Sequence, residues 1–176
     1  PTWADRQQGV DIPRTITPKL IAVLRDRLKE TRNQTVVLYH RPGAGATTVA
    51  YRVAWELHTE YPTVILLHHS DALSARLQML YRISQATILL IAESPALTES
   101  QREELYRDLV KNNTPVVMLY MRRGFQDESS SDLSLGDPMD NNEAKNFYQR
   151  YKALINDFDK IQELERITTD DTLIRY

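Results

Sequence analysis

Apolar residues fall along this chain in two kinds of pattern, short continuous runs and longer stretches with a four-residue beat. The runs cover residues 36–39, 63–68, 87–92 and 116–121. Continuous rather than alternating apolar character over so few residues predicts strands buried on both faces. The four-residue beat is carried by Leu20, Leu24 and Leu28, then by Val49, Val53 and Leu57. It returns in Leu73, Leu77 and Leu80, and again in Leu105 and Leu109. Each set predicts an amphipathic helix. The first opens at Thr17-Pro18, with proline at the first helical position, and ends near Asn33. The third spans 71–83, and the fourth spans 98–111 with a capping box, Thr98-x-x-Gln101. Strands alternating with helices, on connections long enough for crossovers, predict a mainly parallel sheet with helices on both faces, a three-layer α/β fold.

The flanks read differently. Residues 1–14 lack periodicity and form an irregular lead-in, with Trp3 docked on the domain. Residues 126–140 turn polar, with serines, acids, Gly136 and Pro138, and read as a loop. From Asn142 to about Arg166 a helical beat resumes through Phe147, Tyr151, Leu154 and Phe158, as one long helix or two short ones. The chain thus divides into a core over 1–126, a polar loop over 127–141 and a helical extension of the same domain over 142–176.

Chemistry concentrates behind the first strand. There Arg41, Pro42, Gly43, Ala44, Gly45, Ala46, Thr47 and Thr48 join a strand to a helix. A strand, a Gly-rich turn and a helix start place backbone N–H groups and a helix N-terminus around a phosphate. At either glycine a Cβ is expected to crowd the turn or hold the phosphate away. Thr47 or Thr48 is positioned to cap the helix or to offer a hydroxyl to Mg2+. Against the pattern G-x-x-x-x-G-K-[ST], Gly45 and Thr47 fit, whereas His40 replaces the first glycine and Ala46 the lysine. The missing lysine removes a cation that reaches the outer phosphates. The bland alternative is a strand-to-helix turn with glycines for tightness.

In parallel sheets ligands bind off the carboxyl ends of the strands. The residues expected there are the Gly loop, then His68, His69 and Asp71, then Glu93, then Arg122 and Arg123. Glu93 closes its apolar run where a phosphate-loop NTPase carries one or two acids for Mg2+ and for the attacking water. Ala92 stands at the first of those places, so Glu93 has to cover one role or both. The forked guanidinium of Arg122 or Arg123 suits a γ-phosphate, and either of them, or Arg41, can stand in for the lysine. Adjacent His68 and His69 point to opposite faces of a strand and make a poor metal pair. Arg25, Arg27, Lys29 and Arg32 read as a solvated helix face. No Ser-His-Asp arrangement is legible.

Composition narrows this only modestly. At 176 residues, 41% hydrophobic and 26% charged, the chain is sized and composed as one globular domain. A net charge of −2 argues against a broad nucleic-acid surface. The absence of cysteine removes disulfides and thiolate metal sites and suits a reducing compartment. No apolar run approaches the ~20 residues of a membrane span, so no membrane partner is expected. Beginning at Pro1, the chain reads as part of something longer.

The stretch RPGAGATTVA over 41–50, with Trp55-Glu56-Leu57 and Tyr61-Pro62 downstream, resembles the STAND-type P-loop NTPases. It is similar to the branch whose loop reads roughly G-x-P-G-x-G-G-T-T without the lysine. That branch includes the NTPase region of the antiviral sterile-alpha-motif-containing proteins of vertebrates and related bacterial defence proteins. The likeness runs from about Ile12 to Arg123, and more weakly through 147–151. It implies a P-loop NTPase-like fold that binds ATP or GTP with Mg2+ on residues 42–48. It further implies Thr47 as the magnesium-side hydroxyl, Glu93 as the Walker-B-like acid and Arg122 as the sensor of the terminal phosphate. Such proteins are cytoplasmic switches in innate immunity, in which nucleotide state and homo-oligomerisation release an effector domain of the same longer chain. His40 and Ala92 depart from the pattern and bear on hydrolysis more than on fold, so turnover is expected to be slow or absent.

Two other functions fit the residues. One is a non-catalytic scaffold that kept the architecture and uses Arg25–Arg32 as an interaction or nucleic-acid surface. The other is a TIR-like nucleotide-processing domain. Strand order separates them, because a STAND domain keeps the loop-bearing strand inside the sheet with the strand of Glu93 next to it or one beyond.

Overall fold

The computed structural model describes residues 14–124, 133–135, 141–154 and 159–162. In chain order these form α1 (Ile16–Lys29), β1 (Gln34–His40), α2 (Ala46–Leu57), β2 (Thr63–Leu66) and α3 (Leu73–Ser84). There follow β3 (Ile88–Glu93), α4 (Glu99–Lys111), β4 (Val116–Arg123), β5 (Leu133–Leu135) and α5 (Asn141–Leu154). The strands make one sheet in the order β2-β3-β4-β1-β5, and every pairing is parallel.

The two-residue period of a strand explains why the interior runs are apolar throughout. In β3, Leu89 and Ile91 face one way and Ile88, Leu90 and Ala92 the other. In β4, Val117, Leu119 and Met121 are opposed to Val116, Met118 and Tyr120 in the same manner. The first set packs under α1 and α2, against Leu20, Leu24, Leu28, Val49, Val53 and Leu57. The second packs under α3 and α4, against Leu73, Leu77, Leu105 and Leu109. Two cores separated by a sheet make the three layers expected from the sequence.

Several boundaries differ from the reading of the pattern. α1 begins at Ile16, two residues before Pro18, with Thr15 at the cap position making no side-chain cap bond. β2 is not buried on both faces. It is an edge strand of four half-buried residues and stops before Leu67. Residues 126–140 are not wholly loop, because Leu133–Leu135 adds a fifth strand beside β1 and extends the core sheet past residue 126. Its two leucines are buried and Ser134 is exposed, an alternation too short to register amid the surrounding acids and serines. The capping box of α4 forms as expected, Thr98 N–H donating to Gln101 Oε1 at 2.9 Å and Gln101 N–H to Thr98 Oγ1 at 3.4 Å. Trp3 and residues 163–176 lie outside the described residues.

The basic face of α1 is paired. Arg25 grips Glu60 with two bonds, Nε to Oε2 at 2.9 Å and Nη2 to Oε1 at 2.6 Å. Arg27 and Arg32 meet Glu30, and Lys29 meets Asp26. Among the described residues no helix is long and apolar enough to cross a membrane.

Candidate functional site

β1 runs out at His40, whose Nδ1 lies 3.1 Å from the Arg41 carbonyl oxygen. The same oxygen accepts the Ala44 N–H at 3.2 Å, which closes a turn over Pro42 and Gly43. Gly43 and Gly45 then take φ of +82° and +83°. A Cβ at Gly43 would meet nothing within 4 Å, and one at Gly45 only Arg14 Nη1 at 3.8 Å. The glycines are therefore required by left-handed backbone and not, as the sequence suggested, by crowding within the protein. Gly45 is the residue before α2 and has no side chain to cap it. Neither Thr47 nor Thr48 caps the helix.

Among the described residues the amides of Gly43, Gly45, Ala46 and Thr47 have no partner in the protein. Several unengaged N–H groups at a helix N-terminus, with its partial positive charge, form a ready anion site. Ala46 is buried, its methyl packed into the core under α1 and α2.

Thr47 turns its hydroxyl across to β3 and donates to Glu93 Oε1 at 2.8 Å. Glu93 is the last residue of β3, and β4 separates that strand from β1. The pair spans 46 positions in sequence and lines a cavity of about 260 Å³. Tyr51, His68, Ile91 and Met121 line this cavity with them. That volume lies below the ~300–1,000 Å³ of sites that enclose a whole small molecule. Tyr51 stands one helical turn after Thr47 and on the same face of α2.

The strand ends do not all converge as the sequence suggests. His68 borders the cavity; His69 and Asp71 do not. Both histidines lie beyond β2, so opposed strand faces are not what separates them. Arg122 and Arg123 are the last two residues of β4 rather than the first after it, paired in register with Tyr39 and His40. Both are exposed and neither lines the cavity. The Arg122 guanidinium carbon stands 6.0 Å from the Tyr39 ring centroid. Arg41 is exposed at the start of the loop.

Two residues missed by the sequence reading hold the loop from behind. Arg14 Nη1 donates to the Ala44 carbonyl at 2.6 Å, and Arg14 Nε donates to Glu143 Oε1 at 3.0 Å. That carboxylate oxygen also accepts Thr15 N–H at 2.5 Å and Thr15 Oγ1–H at 2.6 Å. Glu143 belongs to the first turn of α5 and is buried. Nothing in a polar lead-in and a polar stretch 129 residues apart signals this pairing.

The model of a family described as Novel STAND NTPase 5 matches residues 1–133. No curated protein matches the chain. Among solved structures, Drosophila ORC bound to DNA aligns with a TM-score of 0.59 and 12% identity, over 90% of this chain and 50% of that one. C. elegans PCH-2 aligns at 0.54 and 13%, over 86% and 48% respectively. The Aeropyrum pernix ORC2 protein, in ADPNP–ADP complexes, aligns at 0.54 and 13%, over 83% and 54%. The chain spans about half the length of each of these structures. At such identities the likeness shows the fold alone, a P-loop NTPase fold.

Proposed function

The chain belongs to the Novel STAND NTPase 5 family, and from that premise we propose that it is a nucleotide-binding regulatory module whose ligand is ATP or GTP with Mg2+. The observation that carries this is the hydrogen bond from Thr47, on the first turn of α2, to Glu93 at the end of β3. A hydroxyl and a carboxylate brought together beside unengaged amides form an oxygen donor set of the kind Mg2+ takes alongside phosphates. In this reading residues 41–48 cradle the phosphates and Thr47 and Glu93 hold the metal. The ion supplies charge neutralisation at the outer phosphates. Arg122, Arg123 and Arg41 are the cations available to a terminal phosphate, with Arg122 as its sensor.

Hydrolysis is slow or absent, because Ala46 and Ala92 supply a methyl where a cation and a second acid would act. The module works within a longer cytoplasmic signalling or defence protein, where nucleotide state governs the other domains and self-association. Titrating ATP and GTP calorimetrically, with and without Mg2+, tests this. Magnesium-dependent binding is expected, weakened about tenfold or more in Thr47→Val and in Glu93→Gln, a loss of at least ~1.4 kcal/mol. Absence of binding at millimolar nucleotide overturns it.

A second reading, a scaffold that has lost its ligand, is favoured by the burial of both Ala46 and Ala92. It predicts that Thr47→Val leaves every partner interaction intact and that no nucleotide binds.

A further inference from the structure

The peptide between Ala44 and Gly45 is held at one end only. Its carbonyl oxygen takes the Arg14 guanidinium at 2.6 Å, while its N–H has no partner among the described residues. A trans peptide is planar, with C=O and N–H pointing in opposite directions. Fixing the oxygen toward Arg14 therefore aims the Gly45 N–H to the other side of the loop. Gly45 sits in left-handed backbone at φ +83°, where a glycine has unusual freedom to turn its peptide over. Such a peptide needs an external constraint to keep one orientation.

Arg14 can supply that constraint only if it is itself fixed. Its Nε bonds to Glu143, and its side chain is largely buried, 11% exposed against 6% for Glu143. The same carboxylate oxygen seats the first residues before α1 through the Thr15 amide and hydroxyl. A chain of contacts thus runs from the first turn of α5, through Arg14, to one peptide of the loop.

We propose that Arg14, oriented by Glu143, is a positioning residue that aims the Gly45 amide into the phosphate cradle, and that anion binding and the seating of α5 are therefore coupled. The proposal rests on the reading of this loop as an anion site. Coupling between two sites is reciprocal. Whatever the seated helix contributes to phosphate affinity, bound phosphate returns as protection of the helix.

The test uses the full chain with Arg14→Gln, Arg14→Lys and Glu143→Gln, and three readouts. The first is MgATP affinity, expected to fall about tenfold in Arg14→Gln and Glu143→Gln and to be partly restored by Arg14→Lys. The second is the amide resonance of Gly45 in nucleotide-free protein, expected to move in Arg14→Gln while the amides of β3 stay. The third is hydrogen exchange over residues 141–154, expected to slow on adding MgATP to the parent chain and not to Arg14→Gln.

Equal affinity in parent and Arg14→Gln, with an unmoved Gly45 resonance, overturns the proposal and leaves the functional reading standing. If the parent itself binds no MgATP, the functional reading and the coupling both fall. The Gly45 resonance then decides the positioning role alone: a shift sustains it, and none removes it. Should Arg14→Gln fail to fold, Glu143→Gln carries the same three readouts, because it loosens Arg14 without removing the guanidinium.

Discussion

At Gly45 and Gly43 the decisive quantity is a backbone angle. A Cβ meets nothing at Gly43 and only an ordinary contact with Arg14 at Gly45, so a methyl group is accommodated and the strain lies in φ. Gly45→Ala is expected to cost about 1–2 kcal/mol, the usual penalty for an L-residue in left-handed conformation, measured by urea unfolding. If the new residue relieves that strain by turning the peptide, MgATP affinity falls as well. Thr47 illustrates a different lesson at the same scale. The sequence leaves Thr47 open as a helix cap or as a hydroxyl for Mg2+, and the hydroxyl bonds across to Glu93 on β3 while a glycine occupies the capping position. Side-chain roles of this kind depend on what the adjoining strands bring near, and no local pattern encodes that.

The elements were legible in proportion to their burial. β1, β3 and β4 lie inside the sheet, and continuous apolar runs announced them. β2 and β5 lie at its edges, where one flank is open and the pattern weakens. Hence β2 read as too long and too buried, and β5 went unseen. The glycine loop was legible because only glycine serves at its two left-handed positions. Arg14 and Glu143 were not, because two charged residues in polar stretches look like solvated surface until the chain is folded. α1 is further tied to the connection between α2 and β2 by the Arg25–Glu60 fork. The hydrogen bond from Arg25 holds the Glu60 carboxyl below its ordinary value of 4.5. A carboxyl depressed in the folded state adds stability above its unfolded pKa and loses it as pH falls through the folded one. Glu60→Gln should therefore flatten the decline in stability on the acid side of pH 4.5, and do little near neutrality beyond the modest loss of an exposed ion pair. Thermal unfolding across that range reads the difference.

Across the whole molecule, the sheet separates two cores with unequal duties. The one under α1 and α2 underlies the glycine loop and lends Ile91 and Met121 to the cavity. The one under α3 and α4 reaches that cavity through Leu66, a half-buried residue at its margin. Leu109→Ala, in the latter, is expected to cost about 2–5 kcal/mol of stability while MgATP affinity at a temperature where the domain stays folded remains unchanged. Calorimetry beside denaturant unfolding separates the two effects. The interior place of β1, with the strand of Glu93 one beyond it, is the arrangement that distinguishes the STAND-like reading from the TIR-like one. Residues 14 and 143 enclose all five strands between them, and their side chains bond to each other while Arg14 also holds the carbonyl of a single loop peptide. Tension travelling along the backbone from either direction would arrive at one shared anchorage. A tug on the N-terminal side and a tug on the C-terminal side would thus be felt as the same event, a slackening of the grip on one carbonyl.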